Sequence, residues 1–439
     1  MDPYTAGYIS VFAIILLVVF GVRIAYASGI VGLLGLAVLR GWDPGTGLAG
    51  FLAHSESTHY ALSVLPMFIL IGYLAFYAGL TQGAFYAARC WMGWLPGGLA
   101  VATVMATAAF GAVSGSSTAT AAVFSRIAIP EMLKYRYNPR LASAVVAAGG
   151  TLAALIPPSA ILVIYGIIVE QSIGALLLAG FIPGALSAVV YSAIVVARVM
   201  ITPEMGAAMP DVGWGERFRS LKDAWGIAAV IGIIIGGIYT GWMTPTEVGG
   251  VGAFIVFLLA LAKREMTLKD LSDALMETSK LTVMIFTIIW SILIYVRFLG
   301  FSGLPAAFSD WIVSLEVDRI YILLLILFVY LILGMMMDGI GMLLLTLPVF
   351  FPAIVGLGYD PIWFGIIVVK MVEIGLLTPP IGLNCFVVNG VRPDIPLEEV
   401  FKGVWPFVLA DFITIAILTI FPGIVLFLPQ LMIANISAG

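Results

Sequence analysis

The chain has 439 residues, of which 62% are hydrophobic and 10% charged; a soluble domain carries roughly 25% charged residues, so a soluble globular protein is excluded. The formal net charge of −4 is small and the basic residues sit in short clusters between apolar runs, which excludes nucleic acid as a partner. A bilayer core of about 30 Å takes about 20 helical residues per crossing, so this length allows on the order of ten to twelve spans, the size of a transporter or channel.

Apolar stretches suited to spanning helices fall at 6–22, 24–39, 60–88, 141–169, 177–200, 224–243, 246–262, 281–299, 361–389 and 404–430. The first has neither a basic flank nor a small-residue cleavage site, so it reads as a retained helix. The regions 98–132 and 320–352 are long and apolar but broken midway, by Ser114-Gly115-Ser116-Ser117-Thr118 and by Gly334-Met335-Met336-Met337-Asp338-Gly339-Ile340-Gly341. Broken backbone at lipid depth survives only where protein or a water-filled cavity satisfies it. Both regions are therefore predicted to be re-entrant helical hairpins.

Pro130 and Pro352, Tyr137 and Tyr359, Pro139 and Pro361, Pro157 and Pro379, and Pro158 and Pro380 are each 222 positions apart, and the same shift carries Ser116 onto Asp338. An internal repeat follows, over roughly 60–200 and 282–422. Lys134, Arg136 and Arg140 follow the first hairpin, whereas 353–361 has no basic residue and Asp310, Glu316 and Asp318 precede the second hairpin against Arg319 alone. Cytoplasmic loops collect Lys and Arg, so the halves are predicted to be inverted. Lys263, Arg264, Lys269, Arg217, Arg219 and Lys222 fall on the cytoplasmic side, and Arg40 is the exception left outside.

The predicted fold class is an all-α polytopic membrane protein with inverted repeats, two re-entrant hairpins and Pro-Pro broken helices. Its domains are N-terminal scaffold helices at 1–59 and a first repeat at 60–200, with a hairpin at 98–132 and a broken helix at 141–169. A cytoplasmic amphipathic segment and scaffold helices follow at 201–281. The second repeat, at 282–439, has a hairpin at 320–352, a broken helix at 361–389 and a terminal helix at 404–430. Inverted repeats with paired broken helices mark secondary transporters, whose sites lie near the midplane at the repeat interface.

The Ser114–Thr118 cluster offers short oxygen-bearing side chains and glycine-permitted turns suited to a partly dehydrated cation or a carboxylate; its plainer reading is a small-residue packing seam. Consecutive prolines at Pro157-Pro158 and Pro379-Pro380 remove amide donors and unwind their helices, exposing carbonyl oxygens that can hold Na+; a simple kink is the alternative. Arg297, Asp338, Lys370, Glu373 and Asp411 are the ionisable residues inside apolar spans, and each is a functional candidate because a buried charge is costly. Arg297 can grip a carboxylate in bidentate fashion or snorkel from its helix end. Lys370 reads as a snorkeller or as a partner of Glu373, and Asp411 as structural.

No lysine follows a glycine, so there is no Walker-type phosphate loop and transport must draw on a gradient. The two histidines, His54 and His59, share one loop, which leaves the serine cluster without a base for hydrolysis. Cys90 and Cys385 lack the spacing of a disulfide framework or metal site. An enzyme is therefore not expected.

Ser114-Gly-Ser-Ser-Thr-Ala-Thr-Ala, Ile129-Pro-Glu-Met, the Gly149–Ser159 run ending Ile-Pro-Pro-Ser, Met243-Thr-Pro-Thr-Glu-Val-Gly and Leu377-Thr-Pro-Pro-Ile-Gly-Leu-Asn384 together resemble the large membrane subunit of TRAP (tripartite ATP-independent periplasmic) transporters, over nearly the whole chain. The resemblance implies a bacterial or archaeal cytoplasmic-membrane symporter that couples Na+ entry to uptake of an organic acid by an elevator movement. It implies two partners: a small four-helix Q-type membrane subunit, here expected as a separate chain, and a periplasmic binding protein that delivers the carboxylate. It places one Na+ site at Ser114, Ser117 and Thr118 with Gly150 and Thr151. A second falls at Gly334, Asp338 and Gly339 with Gly375 and Thr378. The substrate carboxylate is assigned to Arg297, with Ser116 and Ser159 as hydrogen-bond partners. The rival class is an autonomous ion-coupled carrier or channel that needs no binding protein.

Overall fold

The computed structural model describes residues 2–206, 208–210 and 212–438. Among them every regular element is helical. The first part of the chain forms α1 (Pro3–Val19), α2 (Ile24–Arg40), α3 (Trp42–Ser57), α4 (Val64–Tyr77), α5 (Leu80–Met92), α6 (Gly98–Ser114), α7 (Ser117–Lys134), α8 (Pro139–Thr151) and α9 (Ala160–Ile168). Then come α10 (Ile173–Ile201), α11 (Trp214–Tyr239), α12 (Pro245–Lys263), α13 (Leu268–Ser302) and α14 (Leu304–Ser314). The chain closes with α15 (Arg319–Gly334), α16 (Gly339–Gly356), α17 (Pro361–Gly375), α18 (Leu383–Val391), α19 (Leu397–Ile420) and α20 (Gly423–Ala438). Seven helices among the described residues are long and apolar enough to cross a membrane, and side chains such as Phe254, Leu258, Leu325 and Phe328 stay exposed on the outside, as lipid contact requires.

Local chemistry sets the helix starts. Asn138 and Asp360, 222 positions apart, each cap a helix whose first residue is proline, Asn138 accepting from Arg140 N and Asp360 from Ile362 N and Trp363 N. Ser116 and Asp338, at the same separation, cap α7 and α16. Such caps satisfy amides that have no intrahelical partner. The Pro157-Pro158 and Pro379-Pro380 bonds are both cis, and each lies in a non-helical gap, between α8 and α9 and between α17 and α18.

Three boundaries differ from expectation. The 60–88 stretch divides into α4 and α5 at Gly79, which has φ of 66° and starts a new helix direction. The 281–299 span begins earlier, because Thr267 and Asp270 form a capping box that launches α13. The terminal helix at 404–430 is two helices: α19 stops at Ile420 and α20 begins at Gly423, beyond Pro422, whose ring cannot donate to the preceding turn.

Close helix approach depends on small residues. Gly29, Gly32 and Gly35 of α2 lie against Ser291, Tyr295 and Phe298 of α13; a Cβ at Gly32 would meet the Tyr295 backbone. A ridge of this kind lets two membrane helices pack backbone to backbone.

The two ends of the bundle differ in charge. Arg89 pairs with Glu131 at 2.7 Å, Arg140 with Glu399 at 2.8 Å, and the Trp91 indole donates to Arg217 O; these contacts gather Arg89, Arg140 and Arg217, with Lys134 and Arg136 of the α7–α8 turn, at one end. The other end holds Arg40 over the Phe301 ring and Arg319 over the Tyr359 ring, amid Asp310, Glu316, Asp318 and Asp360.

Candidate functional site

The turns of both hairpins reach one cavity of about 1280 Å3. Ser114 to Ala119 enter it from the α6–α7 turn, and Met336 to Ile340 from the α15–α16 turn. The interrupted helices contribute Ala154, Ala160 and Ile161 on one side and Glu373, Leu376, Ile381 and Leu383 on the other. The opposite wall is built by the α1–α2 turn, α4 and α13, with Tyr26, Tyr73, Tyr77, Glu277 and Lys280. The cavity thus opens toward the basic end.

In the first turn Gly115, with φ of 59°, reverses the chain, and the hydroxyls are committed locally: Ser114 Oγ lies 2.8 Å from Thr120 Oγ1, and Ser116 Oγ accepts from Ala119 N. Ser117 Oγ instead reaches across to α17 and donates to Glu373 Oε2 at 2.8 Å. Thr118 lines the cavity beside them. In the second turn Asp338 Oδ1 accepts from Ile340 N and Gly341 N, and Gly339 packs near Val372 and Ile161. Both turns present helix N-termini to the cavity, a polarity that favours anions.

The remaining expected residues stand behind this surface. Gly150 abuts the Ser117 carbonyl, and Gly334 and Gly375 meet backbone to backbone where α15 crosses α17. Thr378 Oγ1 donates to Ile374 O, and Thr151 Oγ1 donates to Ala148 O while lying 3.1 Å from Tyr191 OH. Ser159 does not face the cavity: its buried hydroxyl donates to Ala154 O and accepts from Leu162 N, holding the start of α9.

Arg297 stands apart from this cavity. It is exposed on α13, nine residues past Ile288, the last α13 residue in the cavity wall, a distance of about 13 Å at 1.5 Å per residue. The arginines that do line the cavity are Arg23 in the α1–α2 turn and Arg126 on α7. Both are exposed to it and have no ion-pair partner among the described residues. A guanidinium without an internal partner, at the edge of a cavity roomy enough for a small organic anion, is suited to a carboxylate.

Lys370 is not the partner of Glu373 and does not snorkel. Its Nζ lies 2.5 Å from Asp411 Oδ1, with both side chains buried. Tyr191 OH donates to the same carboxylate oxygen at 2.6 Å, and Lys370 Nζ is 5.3 Å from the Tyr191 ring centre. Sequence reasoning flagged the charges but not their pairing. Among the described residues no group of three His, Cys, Asp or Glu side chains forms a metal cage.

Two hairpin turns and two Pro-Pro interruptions converging on one cavity, in an apolar all-α chain, define a polytopic membrane carrier. The chain belongs to the DctM component family of the tripartite ATP-independent periplasmic transporters, whose family profile matches residues 11–424. It is 36% identical over 378 residues to a C4-dicarboxylate TRAP transporter large permease of Pseudomonas aeruginosa, covering 85% of this chain and 87% of that one. It is 33% identical over 375 residues to a sialic acid TRAP transporter large permease of Vibrio cholerae, covering 85% and 87%. Among solved structures it is similar to the Alcanivorax borkumensis YdaH transporter, with a TM-score of 0.58 at 15% identity over 87% of this chain and 89% of that one, a likeness of fold alone.

Proposed function

We propose that this chain is the large permease of a Na+-coupled importer of an organic acid. The observation that carries the proposal is the meeting of both hairpin turns, both interrupted helices and the unpaired Arg126 in a single cavity. Substrate and coupling ions bind near the midplane between repeats in carriers of this design, anions at half-helix N-termini and cations at unwound carbonyls. The named substrates of the two relatives, a C4-dicarboxylate and sialic acid, are carboxylates. A carboxylate is accordingly the proposed cargo, with Arg126 and Ser116 as its first contacts and Na+ near Ser114, Ser117, Thr118, Asp338 and Gly339.

The basic end is placed in the cytoplasm of a bacterial inner membrane by the excess of Lys and Arg there, which makes the observed cavity inward-facing. One wall comes from the hairpins and interrupted helices, the other from α2, α4 and α13. That division supports an elevator movement in which the first group slides against the second. A small membrane subunit and a periplasmic binding protein complete the system.

The test is uptake of labelled carboxylates by proteoliposomes holding this chain, its small subunit and the matching binding protein, with and without an inward Na+ gradient. Uptake that needs both Na+ and the binding protein is expected. Uptake without the binding protein, or a conductance indifferent to the gradient, replaces the proposal with an autonomous carrier or a channel.

A further inference from the structure

Three ionisable side chains are buried together behind the hairpin turns: Lys370, Glu373 and Asp411, exposed by 0%, 2% and 0%. Lys370 and Glu373 are three residues apart on α17, so they share a face. The lysine is nevertheless taken up by Asp411, at 2.5 Å, and Asp411 is held in turn by Tyr191 OH. With all three ionised, one cation and two carboxylates carry a net charge of −1. The only hydrogen bond to the Glu373 carboxylate among the described residues is the neutral hydroxyl of Ser117, which lowers the cost of burying the charge without cancelling it. A buried charge without a counter-charge costs several kcal/mol, on the order seen when one partner of a buried pair is removed.

Glu373 is also the member of the trio that lines the cavity, so an ion arriving there can reach it. A second observation comes from the start of α18. Asn384 is fully buried; its backbone amide donates to Leu376 O, three residues beyond Glu373, and its side-chain Nδ2 donates to Ala147 O. Its Oδ1 has no hydrogen-bond partner. An unpartnered amide oxygen is a ligand type suited to a hard cation.

We propose that Glu373 is the anionic ligand of a Na+ site at the inner wall of the cavity, bridging the first hairpin to α17, and that the Asp411–Tyr191 pair keeps Lys370 from occupying the cation's place. This rests on the Na+-coupled reading and names a charged ligand for it. The bound ion makes the buried trio neutral and links the Ser117 turn to α17, so ion binding and hairpin closure become one event. Asp411 has the role of a positioning residue: it never touches the ion.

The purified full-length chain is unfolded thermally across a NaCl series, with choline chloride holding ionic strength constant, since a ligand that binds the folded state raises the midpoint. Wild type is expected to gain stability with Na+. Glu373→Gln raises the half-saturating Na+ at least tenfold. Glu373→Asp retains a Na+ response, because the charge is kept. Asp411→Asn is the sharper variant: it frees Lys370 one helical turn from Glu373, so an internal ammonium takes the site and the Na+ response falls at least tenfold although Glu373 is untouched. An unchanged response in either Glu373→Gln or Asp411→Asn overturns the site while leaving Na+ coupling in place. An unresponsive wild type, or one stabilised by protons in place of Na+, overturns both. Where Glu373→Gln does not fold, Asp411→Asn and Glu373→Asp decide between the outcomes.

Discussion

Ser117 Oγ and Glu373 Oε2, 256 residues apart in sequence, are joined by a 2.8 Å hydrogen bond that ties the first hairpin turn to α17. A hydrogen bond to a charged group is worth about 1.5–3 kcal/mol. Ser117→Ala removes the only donor among the described residues to a buried carboxylate, so Na+-dependent uptake is expected to need roughly tenfold more Na+. Ser117→Thr, which keeps the hydroxyl, should retain most of the wild-type dependence. Equal Na+ curves for Ser117→Ala and wild type in proteoliposome uptake would show that the bond is incidental to coupling.

Arg126 and Arg297 make opposite predictions. Arg126 lines the cavity without an ion-pair partner, whereas Arg297 faces outward away from it. Arg126→Ala is expected to reduce uptake of a carboxylate by about 10- to 100-fold, the range set by one charge-assisted hydrogen bond, at unchanged expression. Arg126→Lys keeps the charge and loses the fork, so it should fall between. Arg297→Ala should transport at close to the wild-type rate; a collapse of uptake there would return the substrate role to Arg297.

The elements that sequence exposed best were those marked by backbone chemistry. Consecutive prolines and the Ser116 and Asp338 interruptions act locally; in the structure the prolines fall in gaps between helices, and Ser116 and Asp338 cap α7 and α16. Side-chain partnerships were hidden, because they join residues far apart: Lys370 meets Asp411 and Tyr191 rather than Glu373, three residues away. Arg126 drew no notice, lying in a stretch that also carries Ser125 and Glu131, where a helix end in water would read the same way. Arg297 is ambiguous in sequence, since an arginine near the end of an apolar run can face either lipid headgroups or a site, and only packing decides. Ser159, which the family resemblance gives to substrate, stands in this structure as the cap of α9.

The Lys370–Asp411 pair predicts an asymmetric mutational response. Lys370→Met leaves a carboxylate buried without its cation, and breaking such a pair costs about 3–5 kcal/mol. The unfolding midpoint in detergent should fall steeply. The double variant Lys370→Met with Asp411→Asn removes both charges and keeps an acceptor for Tyr191 OH, so most of the loss should be regained. Additive losses in this double-mutant cycle would mean that the two side chains do not stabilise the fold through each other.

The proposed movement of the hairpin group against the α2, α4 and α13 wall is testable at one contact. A Cβ at Gly341, in the first turn of α16, would meet Ile24 Cγ2 on α2 at 2.8 Å, so side chains at these two positions face each other directly, and replacing Ile24 by the smaller cysteine removes that Cγ2 and leaves room for a sulfur bridge. The native cysteines, Cys90 and Cys385, are both buried and should not compete for an exposed oxidant. The double variant Ile24→Cys with Gly341→Cys is expected to cross-link on oxidation, to lose uptake, and to recover it when reduced, while each single variant is indifferent to oxidant. A sliding mechanism requires this, because α2 and α16 must part for the cavity to change sides. Undiminished uptake by a fully cross-linked protein would show that these two helices keep their contact throughout the cycle, and the moving boundary would then have to lie between other elements.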